Sequence, residues 1–255
     1  MAVAHLINGD DRLDIAYLDE NSEAGKTVLL VHGFASNRQI NWVNTGWVKA
    51  LKDAGYRVVA FDNRGHGESS KFHEISDYPL EKMAGDAIAL LDYLGIERAD
   101  VIGYSMGARI AATLAMHHGE RFDKFVLSGN GWGMVEPTGN WDAVRDALLT
   151  SSPELITHPR GKAFRAFAER TKSDRVALAA CVIGARQLFT VEDLQAIKNR
   201  VLVAVGTEDD VAGDGGKLAA ALPNGEYLPI PGRDHMKAVG DRTHIRGVLD
   251  FLAGD

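Results

Sequence analysis

Cysteine occurs once in the 255 residues, at Cys181, so no disulfide can form within the chain. A lone thiol in a stretch rich in Ala, Val and Ile is expected to be a small buried hydrophobe and not a nucleophile. Positive charge is also scarce. Lys and Arg number 28 against 35 Asp and Glu, a net charge of −7 with no long basic run. Nucleic acid needs a concentrated positive surface, so no nucleic-acid partner is expected. Long apolar runs are missing as well; none approaches the roughly 20 residues that span a bilayer, and no membrane partner is expected. The opening residues Met1 to Gly9 have neither the basic segment nor the sustained apolar stretch of a secretory signal. With the single cysteine, this predicts a cytoplasmic location.

Cofactor and metal signatures are lacking too. The nine histidines are accompanied by no H-E-x-x-H and no cysteine pair, so no metal is expected. Gly25-Lys26-Thr27 imitates a phosphate loop, but the required first glycine falls at Glu20 and the motif precedes a strand. Gly129-Asn130-Gly131-Trp132-Gly133 follows a strand yet lacks dinucleotide-binding spacing. No cofactor is expected. The chain has no internal repeat and no low-complexity segment.

What remains is ordinary globular material, 45% apolar and 25% charged, long enough to bury a sizeable core. Asn8-Gly9-Asp10 between two alternating segments reads as a hairpin. Apolar runs at 27–32, 57–61, 99–104, 125–127, 201–206 and 226–230 read as strands, the first of them buried on both faces. Between them lie helical patterns: Trp47 to Leu51, closed by Gly55; Ala84, Ala87, Ile88, Leu91 and Leu94; Ala108 to Ala115; and Thr243 to Leu252. Gly213, Gly215 and Gly216 read as a loop opening a further helix. This alternation predicts an α/β fold: a mostly parallel eight-stranded sheet with helices on both faces. The strand rhythm lapses from about Gly131 to Phe189, where Phe164, Phe167, Thr171 and Leu178 can share one helical face. The expected organisation is a core of residues 1–130 and 191–255 with a small helical cap insertion at 131–190.

The richest stretch is Gly103-Tyr104-Ser105-Met106-Gly107, lying between an apolar strand and a small-residue helix. G-x-S-x-G in that setting is a sharp turn that exposes the serine hydroxyl at the carboxyl edge of a sheet. Its neighbours must lack side chains to let strand and helix approach. A serine needs a base, and the base needs a third group to orient it. In chain order the sequence offers Ser105, then Glu208-Asp209-Asp210 after one strand, then His235 after the next. Open parallel sheets place their sites at this edge.

These features resemble the α/β-hydrolase fold superfamily, over essentially the whole chain outside the insertion. His32-Gly33-Phe34 is similar to its oxyanion-loop motif, and Asp62-Asn63-Arg64-Gly65-His66-Gly67-Glu68-Ser69 to its D-x-R-G-x-G-x-S loop. The resemblance implies Ser105 as nucleophile, Asp209 as orienting acid and His235 as general base. It implies an oxyanion hole from the backbone N–H groups of Phe34 and Met106. Asp210 is the runner-up for the acid. His32 and His66 are expected to shape the site, and His117 and His118 to serve as a charge at a helix C-terminus.

The expected activity is hydrolysis of a carboxylic ester or related small acyl substrate through an acyl-enzyme. Alternatives on the same triad are a lactonase, thioesterase, C–C hydrolase, acyltransferase or perhydrolase. A ligand-binding receptor built on the same fold stands further off. Trp132, Met134 and Trp141 are candidates for the pocket wall, or pack the insertion onto the core. Arg160, Lys162, Arg165, Arg170, Lys172 and Arg175 are read as a solvated helical face, with recognition of an anionic substrate as the alternative. The partner implied is a small acyl compound; the residues set no oligomeric state.

Overall fold

The computed structural model describes residues 2–254. Strands β1 (Ala2–Asn8) and β2 (Asp11–Glu20) form an antiparallel hairpin whose Asn8↔Asp11 pairing leaves a two-residue turn. Gly9 takes φ of +60° there, a conformation that glycine adopts without steric cost. Then follow β3 (Thr27–Val31), β4 (Arg57–Phe61), β5 (Ala99–Tyr104), β6 (Phe122–Ser128), β7 (Arg200–Gly206) and β8 (Gly225–Ile230). The sheet order is β1-β2-β4-β3-β5-β6-β7-β8. β2 runs antiparallel to β4, and every later pairing is parallel. The expected eight-stranded, mostly parallel sheet is therefore observed.

The continuous apolar runs are explained by alternation across two buried faces. Leu29, Val31, Val59, Phe61, Val101, Phe125, Leu127, Val201 and Val203 point to one side. They meet helices α2 (Leu80–Tyr93), α3 (Met106–His118) and α8 (Gly215–Ala221). Val28, Leu30, Val58, Ala60, Ile102, Val126 and Leu202 point to the other, against α1 (Trp47–Asp53) and α9 (Arg242–Ala253). Both sets must be apolar because both faces are covered.

Between β6 and β7 lie α4 (Asp142–Leu149), α5 (Pro159–Arg170), α6 (Arg175–Gly184) and α7 (Val191–Ala196), with no strand among the described residues of that segment. Val144, Leu148, Ala168, Leu178 and Val182 form a small core of their own that closes on Ala35 and Phe34. The single helical face expected for Phe164, Phe167, Thr171 and Leu178 is corrected here. Thr171 caps α5, Lys172 turns at φ +52°, and Asp174 caps the start of α6 through the amides of Val176 and Ala177. Phe164, Phe167 and Leu178 still belong to one hydrophobic cluster, but they reach it from two different helices.

β3 sits between β4 and β5, so the chain leaves it in opposite directions along the sheet. That reversal opens a crevice at the carboxyl ends of β3 and β5, where α/β sheets bind ligands.

Candidate active site

The two loops flanking that crevice are Gly33-Phe34 after β3 and Ser105 after β5. Ser105 takes φ 55° and ψ −112°, a strained conformation for a residue with a side chain. The glycines permit it. A Cβ on Gly107 would lie 2.0 Å from the Val31 carbonyl oxygen, and one on Gly103 would lie 2.2 Å from that of Gly107. Gly33 brings its loop against the same turn, with its Cβ direction 3.1 Å from the Tyr104 carbonyl oxygen. The Ser105 amide donates to the Ser128 carbonyl at 2.7 Å, tying the turn to β6.

Ser105, His235 and Asp209 meet. The Ser105 hydroxyl lies 3.0 Å from His235 Nε2, and His235 Nδ1 lies 2.8 Å from Asp209 Oδ2. With the carboxylate as acceptor, Nδ1 carries the proton and Nε2 is left to accept from the serine. Asp209 has a side chain with no exposed surface, and its Oδ1 accepts from the amides of Val211 and Ala212 at 2.9 Å each. Its neighbours Glu208 and Asp210 are exposed, and neither makes a hydrogen bond or ion pair with the histidine. The amides of Phe34 and Met106 are not donated to any acceptor among the described residues.

The D-x-R-G-x-G-x-S loop is a structural clamp. Asp62 accepts from the amides of Arg38 and Glu68, each at 2.8 Å, and pairs with the Arg38 guanidinium. A Cβ on Gly67 would lie 2.0 Å from Asp62 Oδ2, so the loop wraps this carboxylate too closely for any side chain. Arg64, fully buried, binds Asp86 through two nitrogens at 2.6 and 2.7 Å and reaches Asp11 at 2.8 Å. His32 and His66 are buried in edge-to-face contact, ring centres 5.2 Å apart. His32 donates through Nδ1 to the Gly33 carbonyl and accepts at Nε2 from the Asn63 amide, which couples the two loops. Burial pushes His32 down to about 4 and His66 down to about 3, so both are neutral supports.

The alpha/beta hydrolase fold model matches residues 26–180, a stretch that includes Ser105. The chain belongs to this family.

Its relatives cover several chemistries. The protein named "Putative carbamate hydrolase RutD" of Caulobacter sp. (strain K31) is 35% identical, over 88% of this chain and 95% of its own length. Epoxide hydrolase B of Mycobacterium tuberculosis is 40% identical over 99 residues, and the chain spans only 27% of that protein. Among solved structures, the enol-lactonase from Burkholderia xenovorans LB400 superposes with a TM-score of 0.81. It is 21% identical and covers 99% of this chain and 100% of its own, a likeness of fold.

A narrow cleft beside Ser105 in this α/β-hydrolase is lined by Phe34, Met106, Asn130, Trp141, Arg109 and Arg186, among others. Its cavity volume is about 40 Å³. Of the three aromatic and sulfur candidates, Trp141 lines this cleft. Met134 is fully buried in the main core, and Trp132 lies under the Lys217 ammonium at 3.9 Å, so both pack the segment down. The solvated face expected for the arginine-rich stretch is corrected at Arg165, which is buried. It pairs with Glu169 at 2.6 Å and donates to the carbonyls of Ala147 and Thr150, fastening α5 to α4. Cys181 is buried, as expected, with burial pushing its thiol up.

Sequence reasoning missed Asn130, Arg109 and Arg186. Asn130 donates to the Ser105 carbonyl at 3.2 Å. Arg109 carried a signal, a charge inside a helix face of small buried residues. Arg186 carried none, since its neighbours in space come from other elements.

Proposed function

We propose that the protein is a serine hydrolase that cleaves a carboxylic ester or a related small acyl substrate through an acyl-enzyme. The hydrogen-bonded line from Ser105 through His235 to Asp209, at 3.0 and 2.8 Å, carries this reading. Ser105 Oγ attacks the substrate carbonyl while His235 Nε2 takes its proton. Asp209, anchored by two amides, holds the imidazole tautomer and stabilises the imidazolium that forms. The Phe34 and Met106 amides, free of other acceptors, bind the oxyanion, and Met106 adds the positive end of α3. His235 then protonates the leaving alcohol and activates the water that releases the acid. The substrate partner is a small acyl compound, in keeping with the narrow cleft.

A carbamate is a second substrate class, supported by the name of the 35% identical relative. Its carbonyl undergoes the same attack. The test is steady-state hydrolysis of p-nitrophenyl esters of graded acyl length, with a phenyl carbamate alongside. Wild type is compared with Ser105→Ala, which is expected to lower kcat by roughly 10⁴-fold or more. Equal turnover by both proteins would overturn the reading.

A further inference from the structure

The cleft beside Ser105 has an unbalanced charge. Arg109 and Arg186 line it, and none of the residues lining it is acidic. The chain as a whole carries a net charge of −7, so this positive site runs against its background. Several arginines elsewhere in the molecule meet carboxylates: Arg57 with Asp19, Arg64 with Asp86, Arg165 with Glu169, Arg233 with Asp241. Around the cleft they do not. Arg109, itself buried, donates to the carbonyls of Gln187 and Gly133, and Arg160 to that of Thr138.

Arg186 stands apart from both. Its guanidinium carbon lies 3.8 Å from the centre of the Trp141 ring, and it makes no hydrogen bond or ion pair with any described residue. Arg160 lies over the same ring at 5.0 Å. Stacking occupies the face of a guanidinium and leaves its in-plane N–H donors free, the geometry that suits a planar carboxylate. Half-buried donors without acceptors are costly, and so are like charges gathered in a dry cleft. Burial first, and then the charges of Arg109 and Arg160, push Arg186 down to about 9, which still leaves it cationic at neutral pH. An anion in the cleft would relieve both penalties.

We infer that this cleft is an anion subsite, in which Arg186 on its Trp141 platform binds a carboxylate carried by the substrate whose carbonyl Ser105 attacks. The substrate class narrows to acyl compounds bearing a second, anionic end. This rests on the proposed hydrolase reading for the carbonyl, but the anion subsite stands on its own residues.

The experiment compares monomethyl glutarate with methyl valerate, in which a methyl group replaces the carboxylate, by pH-stat titration. In wild type, kcat/KM is expected to favour the anionic ester, with its KM rising as salt is added. In Arg186→Gln the anionic-to-neutral ratio of kcat/KM should fall about 10- to 100-fold, mainly through KM, with Arg186→Lys in between. No preference in wild type, or an unchanged ratio in Arg186→Gln, would overturn the inference. Glutarate binding to Ser105→Ala, measured by calorimetry, separates this inference from the hydrolase reading. If neither ester turns over but glutarate binds, and binds at least about tenfold more weakly when Arg186→Gln is added, the subsite stands and the ester reading falls. If glutarate does not bind, the subsite falls whatever the esters do.

Discussion

The Tyr104 hydroxyl, at the end of β5, donates to the backbone carbonyl of His235, so the strand that leads into Ser105 also holds the loop that carries His235. The two rings lie 5.6 Å apart. Gly129 makes room for the phenol, since a Cβ there would lie 2.8 Å from its Cζ. A second link runs beside it. His244 at the start of α9 accepts from the Ser128 hydroxyl at 2.8 Å and donates to the Ala238 carbonyl at 3.0 Å. Tyr104→Phe leaves a buried acceptor without its donor. It is expected to cost about 1–2 kcal/mol in urea unfolding and to lower kcat several-fold with KM little changed. An unaltered kcat would show that the second link suffices.

Asp209 and Asp210 are separated by burial and bonding. Asp209→Asn should lower kcat by roughly 10³- to 10⁴-fold, because an amide favours the wrong imidazole tautomer. Asp210→Asn, at an exposed position, should stay within about twofold. Steady-state kinetics of the two variants tests the assignment, and the reverse order would refute it.

The glycines of the serine turn differ in kind from those on the surface. Gly107→Ala sets a Cβ 2.0 Å from backbone that cannot move without shifting β3. A loss of roughly 3 kcal/mol or more, or failure to fold, is expected. Gly25→Ala meets nothing within 4 Å and needs no positive φ. It is expected to be neutral or to stabilise by up to about 1 kcal/mol through the unfolded chain. Thermal melts of both variants make the comparison.

Acid should loosen the fold through buried histidines. His32 and His244 are pushed down by burial to about 4, and His66 to about 3, from the ordinary 6.5. Below 6.5 the unfolded chain takes up protons that the folded chain refuses. The stability these residues confer is therefore complete above 6.5 and is lost as pH falls toward 4. Asp100, pushed up by burial to about 6, and Asp86, also raised by burial, work in the opposite sense over part of the same range, two groups against three. Tm should thus decline between pH 7 and pH 4.5. A Tm that rises over that interval would contradict the neutral assignments.

Much of this was legible in the residues. Strands alternating with helices, and runs apolar at every position, require a sheet covered on both sides. G-x-S-x-G between a strand and a helix marks the strained Ser105 turn, because that local geometry depends on residues adjacent in the chain. The order Ser105, then the Glu208-Asp209-Asp210 run, then His235 could be read for the same reason, each just past the end of a strand. Asp209 was singled out by the family resemblance, and burial separates it from its neighbours. The cleft was harder. Trp132, Met134 and Trp141 look alike in sequence, yet only Trp141 lines it, because the 3-10 turn at Trp132–Met134 packs down onto the core. Arg165 read as surface charge and Arg186 gave no signal at all, yet one fastens two helices and the other stacks on a tryptophan.

Local chemistry and chain order thus set the sheet, the strained serine and the strand ends from which its partners come, since those follow from side-chain size, backbone freedom and periodicity along the chain. The tertiary structure alone decided what surrounds the serine. Hydrogen bonds such as Tyr104 to His235 span 131 residues. Charge in a cleft depends on which carboxylates stay away, and that distance is settled only when helices from separate stretches of chain pack together.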